Sequence, residues 1–419
     1  MKILYLSTSD IAGGAARGAY RLHKGLINEG VDSTLLVQEK VTDDFTVHGP
    51  RNNLHKAIAR ARPYIIKPFL KLQKTTNTVE HSANLLPSGL VGRINSMEVD
   101  IVQMHFIGHE MISICEIEKI NKPIVWRLAD MWAFCGAEHY TSHEGDLRYQ
   151  EGYQSENRIC GHKGIDIDRW VWNRKMKYWY GKHMTIVTGS KWLRDCAKSS
   201  VLFKNKKIEV IPSGLDINVY KPIEKNQARN ILNLPLDKKI VLFGAMNATS
   251  DKRKGFHLLQ PALIQMSQTE FSKNMELVVF GASSPRDPLN MGMKTHYTGR
   301  MYDDYSLALL YSAADVLIAP SLQDNLPYSV IESLACGTPC VAFNVGGMPD
   351  MITHKKSGYL AKPYESRDLA QGIIWILEDE NRRKMLSVNA RKKAEQEYAV
   401  EVQVERYLKL YKEVIGAIT

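Results

Sequence analysis

Between Val316 and Pro349 the chain reads as strand, polar loop, helix and strand, and this unit narrows the fold more than any other stretch. Apolar Val316-Leu317-Ile318 runs into Pro320-Ser321, so a buried strand ends in a polar loop that carries Asp324 and Asn325. Val330 to Ala335 has the period of a short helix, stopped by Gly337 with Pro339 two residues on. Cys340 to Phe343 is the next strand, and Gly346-Gly347 turns off its end. Such a unit is half of an open α/β sheet. Its polar residues fall where these sheets bind ligands, outside the carboxyl ends of the strands.

The same alternation recurs along the chain. KILYLST opens it as a strand, Gly13-Gly14 leads into a helical stretch from Ala15 to Glu29, and STLLVQ follows as a second strand. A glycine pair at a helix start permits close backbone approach, and a helix N-terminus favours an anion. Gly13 and Gly14 are therefore candidates to cradle a diphosphate or border an acceptor, with a tight packing turn as the alternative. Glu39 lies where a ribose-binding acid would fall in a dinucleotide fold, but GGAARG lacks the G-x-G-x-x-G spacing, which sets a dehydrogenase aside. Further strands are expected at 100–105, 123–128, 184–188 and 207–212, then at 240–243 and 277–280. At 419 residues the chain exceeds one typical domain, so two domains of roughly 200 residues are expected. Val404, Leu408, Tyr411 and Ile415 give the last helix one buried face.

Charge separates the halves. Residues 1–215 hold 30 Lys and Arg against 22 Asp and Glu, whereas the remainder is close to neutral. The excess peaks from Arg51 to Lys74, where Lys56, Arg60, Arg62, Lys67 and Lys71 interleave with apolar residues and meet no acid. This basic amphipathic pattern, broken at Pro63 and Pro68, fits docking on an anionic membrane surface or a solvated helical face. Nothing else resembles a reader of nucleic acid, so no nucleic-acid partner is expected. No apolar run approaches the roughly 20 residues of a membrane helix, and Met1-Lys2 leads straight into a strand rather than a signal-peptide core. The scattered cysteines, with no Cys-x-x-Cys, fit free buried thiols in a reducing cytosol.

Three stretches carry chemistry. Asp251-Lys252-Arg253-Lys254-Gly255 puts three cations at an expected helix start, against the helix dipole, which is reasonable if an anionic ligand sits among them. Asp324 and Glu332, eight apart in a loop and a helix, can face one ligand from different distances. Asp166-Ile167-Asp168 has the D-x-D form of a metal–diphosphate motif, but it precedes a helical stretch and is read as a helix start.

The Pro-Ser before Asp324, the Ala-Cys-Gly-Thr-Pro after Glu332 and the Gly-Gly-x-Pro beyond resemble the E-x7-E region of retaining GT-B glycosyltransferases of family 4. Here Asp324 stands for the first Glu, followed by Asn-Leu-Pro rather than Gly-Phe-Gly, a form resembling a subgroup of colanic-acid and capsular polysaccharide assembly. Trp126 to Tyr140 resembles the W-x-L-H-D-M-W-x-F-T-G-G-x-H-Y segment of that subgroup. In the wider family a histidine in this loop contacts the donor sugar; its position here is Ala129, leaving Asp130 and His139 as the polar candidates.

The resemblance implies a GT-B fold, α/β, with two Rossmann-like domains facing each other across a cleft. These would be 1–215 on the acceptor side and 216–398 for the nucleotide sugar, with a helix at 399–419 crossing back. It implies retaining transfer from a nucleotide-diphosphate sugar to a saccharide or lipid-linked saccharide, with no cofactor or metal. The cysteines point to a cytoplasmic protein, and the membrane-docking reading of 51–74 would place it peripherally on the inner face of the cell membrane. Lys254, Arg253 and the amides at Gly13 and Gly14 would hold the diphosphate, the family's Arg itself falling several residues before Arg253 among small polar residues. Glu332 would take the ribose. Asp324 with Asn325 and Leu326 would take the sugar, and the loop at Arg300 would line the base. Lys254, Asp324 and Asp130 would be the catalytic set, with His139 toward acceptor or sugar. The base (UDP or GDP) is left open. So are a nucleotide-sugar epimerase or another enzyme of this fold, and a non-catalytic sugar-nucleotide-binding partner.

Overall fold

The computed structural model describes residues 1–142, 145–244, 251–281, 290–301 and 303–417. Their contacts form two units, Met1–Pro212 with Gln403–Thr419, and Ser213–Val402. Residues 213–215 go with the second unit because the Leu215 N–H donates to the Tyr398 carbonyl and the Val400 N–H to that of Leu215, both at 2.9 Å.

The first unit is built on a seven-stranded sheet. Its strands are β1 (Lys2–Ser9), β2 (Asp32–Glu39), β3 (Val47–His48), β4 (Ile101–Met104), β5 (Ile124–Leu128), β6 (Thr185–Thr188) and β7 (Lys207–Val210). They lie in the order β3-β2-β1-β4-β5-β6-β7, all neighbours parallel. The helices that matter below are α1 (Gly14–Asn28), α2 (Asn53–Leu70) and α3 (Ile167–Trp179). A small antiparallel ribbon pairs Gln73–Lys74 with Lys163–Gly164.

The second unit repeats the plan with six parallel strands: β8 (Lys239–Gly244), β9 (Met275–Phe280), β10 (Thr295–Gly299), β11 (Val316–Ala319), β12 (Cys340–Phe343) and β13 (Gly358–Ala361). Their order is β10-β9-β8-β11-β12-β13. Alternate residues bury opposite faces: Ile240 and Leu242 join one core, Val241 and Phe243 the other. The relevant helices are α4 (Phe256–Ser267), α5 (Asp304–Ala313) and α6 (Tyr328–Ala335).

In both sheets the strand order reverses once, between β1 and β4 and between β8 and β11. These switch points open a crevice at the carboxyl ends of the strands, the usual ligand position in doubly wound sheets.

Several expectations shift. α2 runs unbroken through Pro63 and Pro68. Pro63 cannot donate to the Ala59 carbonyl one turn back, and the Gln38 side chain takes its place at 2.8 Å. Its charge is not all free either. Arg62 turns inward onto the carbonyls of Glu110, Leu86 and Pro87, and Arg60 lies 3.4 Å from Glu39. Lys252 to Lys254 form a 3-10 turn, and α4 begins after it at Phe256. The last helix, α7 (Val400–Gly416), buries Val404, Tyr407, Leu410, Tyr411 and Val414, whereas Leu408 and Ile415 are only partly covered. The Tyr411 hydroxyl meets that of Tyr5 and donates to Gln103, both at 2.9 Å. All six cysteines are free, and Cys160 is exposed rather than buried.

Candidate functional site

The second switch point gathers most of the charge read from the sequence. Asp251 accepts from the Arg253 N–H at 3.0 Å, and Gly255 closes the turn at φ +71°. A Cβ on Gly255 would stand 1.8 Å from the Pro320 carbonyl oxygen, so only glycine lets this turn press against the exit of β11. The Leu322 N–H then donates to the Arg253 carbonyl at 2.8 Å.

That docking brings the cations to Asp324. The Lys254 Nζ donates to Asp324 Oδ2 at 2.7 Å, and Arg253 Nη1 stands 3.4 Å from the same oxygen while donating to the Gln323 carbonyl at 2.9 Å. The Asn325 N–H meets Oδ1 at 3.0 Å. From β12, Gly346 at φ +55° packs where a Cβ would lie 2.3 Å from the Asp324 carbonyl, to which the Gly347 N–H donates at 2.9 Å. Asp324 is 8% exposed. Burial raises its pKa, but Lys254 and Arg253 outweigh it and hold the carboxyl below its usual range. The result is an ionised acceptor clasped by two cations.

Glu332 sits in α6, 5% exposed, and accepts the Tyr311 hydroxyl of α5 at 3.1 Å. Tyr311 is fixed edge-on to Phe280, and its carbonyl takes the Thr338 hydroxyl at 2.7 Å, tying α5 to the far end of α6. Asn325 and Leu326 are buried between the two carboxylates in sequence. Arg300 is exposed just after β10. Cations beside a buried carboxylate, with a second carboxylate on the following helix, suit a ligand that combines phosphates with hydroxyl groups. The small polar stretch 245–250, where the resemblance would put an arginine, lies outside the described residues.

In the first unit Gly13, at φ +91°, precedes α1 with no side-chain cap, and Gly14 is its first residue. Buried Asp10 shapes this loop by accepting from the N–H groups of Ile11, Val41 and Thr42. Asp130 and His139 come together: His139 Nδ1 meets the Asp130 carboxylate at 2.7 Å, and Nε2 meets the Ser82 hydroxyl at 2.9 Å. Burial lowers the His139 pKa, but Asp130 more than reverses this, and it lies above the usual value. Both ring nitrogens are thus engaged, one by Asp130 within the loop and one by Ser82 outside it. Lys175 of α3 holds that loop from below, donating to the carbonyls of Trp132, Cys135 (3.1 Å) and Gly136 (2.7 Å).

One buried imidazole with a spare nitrogen is His105, at the end of the strand expected over 100–105. It follows β4, is 4% exposed, and its Nε2 has no hydrogen-bond partner among the described residues. It lines a cavity of about 10 Å³, room for one water-sized group, with Ala129, Asp130 and His139. Burial, then Arg127, hold its pKa well below the usual value. A buried strand ending in histidine at a switch point was the available signal.

The D-x-D pair is used structurally. Asp166 caps α3 by accepting from the Arg169 N–H and pairs with Arg148 at 2.7 Å, and Asp168 accepts the Gln73 amide at 2.6 Å.

Comparison with known proteins bears on these units. Residues 224–393 match the family model of glycosyl transferases group 1. The chain is 32% identical over 223 residues to the N,N'-diacetylbacillosaminyl-diphospho-undecaprenol alpha-1,3-N-acetylgalactosaminyltransferase of Campylobacter jejuni, covering 51% of this chain and 56% of that protein. Matches to such relatives span about half of their own lengths. The fold is similar to sucrose-phosphate synthase from Thermosynechococcus elongatus (TM-score 0.67, 18% identity, 99% of both chains). It is also similar to HepE of Anabaena solved with UDP and glucose (TM-score 0.63, 17% identity, 98% of this chain and 99% of that one). The fold is GT-B: two Rossmann-like α/β units, each on a parallel sheet.

Proposed function

We propose that this chain, with a GT-B fold and a glycosyl transferases group 1 segment in its second unit, transfers a sugar from a nucleoside-diphosphate sugar with retention of configuration. The acceptor is a saccharide or lipid-linked saccharide, in assembly of a surface polysaccharide or glycoconjugate. The observation that carries this reading is the clasp of Lys254 and Arg253 on Asp324 at the second switch point.

The difficult step is departure of the nucleoside diphosphate from the anomeric carbon. Lys254 and Arg253 stabilise the charge that grows on the leaving phosphate, a preorganised contact worth about 3 kcal/mol for one such donor. Asp324, which keeps those cations in place, accepts hydrogen bonds from sugar hydroxyls, helped by the N–H groups at Asn325 and Leu326. Glu332, oriented by Tyr311, takes the ribose hydroxyls, and Arg300 lies in the loop assigned to the base. In the first unit Gly13 and Gly14 offer backbone donors, and the Asp130–His139 pair shapes the acceptor side. The departing phosphate takes the acceptor proton as the new glycosidic bond forms on the same face. UDP is the first base to try, because HepE was solved with UDP and UDP-glucose.

Two protein cations neutralise the diphosphate in this scheme, so no divalent metal is required. EDTA is expected to leave transfer intact; abolition by EDTA with rescue by manganese would contradict it. The exposed apolar residues Leu54, Ile58 and Ile65 of α2, among its outward lysines, support docking on the anionic inner face of the cell membrane. No helix among the described residues is long and apolar enough to cross a membrane. A thermal-shift panel of UDP- and GDP-sugars tests the donor reading, since a ligand raises stability with occupancy. A rise with at least one nucleotide sugar is expected, and no shift with any would contradict the assignment.

A further inference from the structure

Beside the end of α2 the first unit holds a cavity of about 190 Å³ that the reaction above does not use. Lys67 and Leu70 line it from the last turn of the helix, Lys71, which caps that turn, with Gln73 and Thr75 from the chain that follows, and His81 and Ile167 complete the wall. The two lysines are four residues apart, so both ammonium groups rise from one face of the helix, where like charges repel. Among the described residues no carboxylate lies within 4.0 Å of either one. Asp168 is not in the wall: its carboxylate accepts the Gln73 amide at 2.6 Å, and its other oxygen lies 3.7 Å from His81 Nε2. The His81 ring is fixed by donating Nδ1–H to the Val79 carbonyl at 2.8 Å.

Aliphatic surface accompanies this charge. Leu72 is 50% exposed and Ile165 53%, and the Ile165 N–H donates to the Leu72 carbonyl at 3.2 Å. Two uncompensated cations around a cavity, with two outward aliphatic side chains on the adjoining ribbon, match an amphiphile that carries a phosphate. A free phosphate would have no use for the aliphatic pair.

We infer that this cavity binds the phosphate of an anionic phospholipid headgroup. Lys67 and Lys71 meet the phosphate oxygens, and Leu72 and Ile165 rest at the boundary between headgroups and acyl chains. The inference rests on the membrane docking proposed above. It adds a defined occupant, and it extends the surface beyond the basic helix to the ribbon.

The test is co-sedimentation of the full chain with phosphatidylcholine vesicles, with and without phosphatidylglycerol. Each basic residue near an anionic surface contributes a similar amount of attraction, so diffuse charge predicts equal losses for equal charge removal. The cavity predicts otherwise. Lys67→Gln with Lys71→Gln should weaken binding at least about tenfold more than Arg51→Gln with Lys56→Gln, the same charge change at the other end of α2. Leu72→Ser with Ile165→Ser should weaken binding without any change of charge, and thermal melts confirm that each variant folds. Equal losses from the two charge pairs would overturn the inference, as would wild-type protein that ignores phosphatidylglycerol. Saturable binding of glycerol 1-phosphate without vesicle binding would reassign the cavity to a soluble phosphate ester and overturn the lipid assignment. Specific vesicle binding in a chain that binds no nucleotide sugar would bring down the transferase reading and leave this one standing.

Discussion

Asp324 is one methylene shorter than the glutamate of the resemblance, and the fold uses the short side chain to hold Lys254 and Arg253 at the mouth of the second sheet. Asp324→Ala is therefore expected to weaken UDP binding, because both cations lose the carboxylate that holds them, and to lower turnover about a hundredfold. Isothermal titration beside initial rates separates the two effects. A second prediction concerns pH. Burial pushes the Lys175 ammonium down to about 7 from its usual 10.5. Below pH 7 the group is charged in folded and unfolded chain alike. Between about 7 and 10.5 only the unfolded chain holds the proton, so it binds more protons and stability rises with pH across that window. Urea denaturation at successive pH values should show wild type gaining on Lys175→Met by up to about 1.4 kcal/mol per pH unit. A constant difference would contradict this. His105→Phe keeps the ring against Tyr5 and removes a nitrogen without a partner, so its melting temperature should equal or exceed that of wild type. At this scale the sequence revealed residue types but not partners. Nothing in the spacing of Asp130 and His139 says that both ring nitrogens of His139 would be spent on protein partners, Asp130 and the distant Ser82.

The elements were legible where apolar runs were continuous, because strands covered on both faces carry no polar interruption. β11 and β12 stand within a residue of the expected positions, and α6 begins two residues early, at Tyr328. α2 was not legible as one helix. Its continuity depends on a Gln38 amide donated from β2, a tertiary contact that local pattern cannot show. The cation turn was half legible: three charges before a glycine were visible, but the dependence on Pro320 was not. That dependence gives a prediction at the element scale. Gly255→Ala must accommodate both a positive φ and a carbonyl contact, which should destabilise the chain by about 1–3 kcal/mol or more. It should also weaken nucleotide-sugar binding although no charge changes. Unaltered melting and binding would show that the turn does not position the cations.

Over the whole molecule, two sheets with the same strand sequence around their switch points explain why a chain of 419 residues can present two separate clusters of polar residues. The alternation of strands and helices made this plan readable in advance. The segment at 224–393 and the fold similarity across the chain agree with it. What alternation could not supply was the choice among polar residues at each switch point, since His105 and Ala129 differ in use only once their loops are folded. In the proposed function, the second switch point binds the diphosphate of a sugar donor and stabilises its departure. The most direct measurement is release of nucleoside diphosphate from the best donor of the thermal-shift panel by wild type and Lys254→Ala under saturating donor. Loss of turnover by about a hundredfold or more, with folding intact, is the predicted result. Near-wild-type turnover of Lys254→Ala would contradict it.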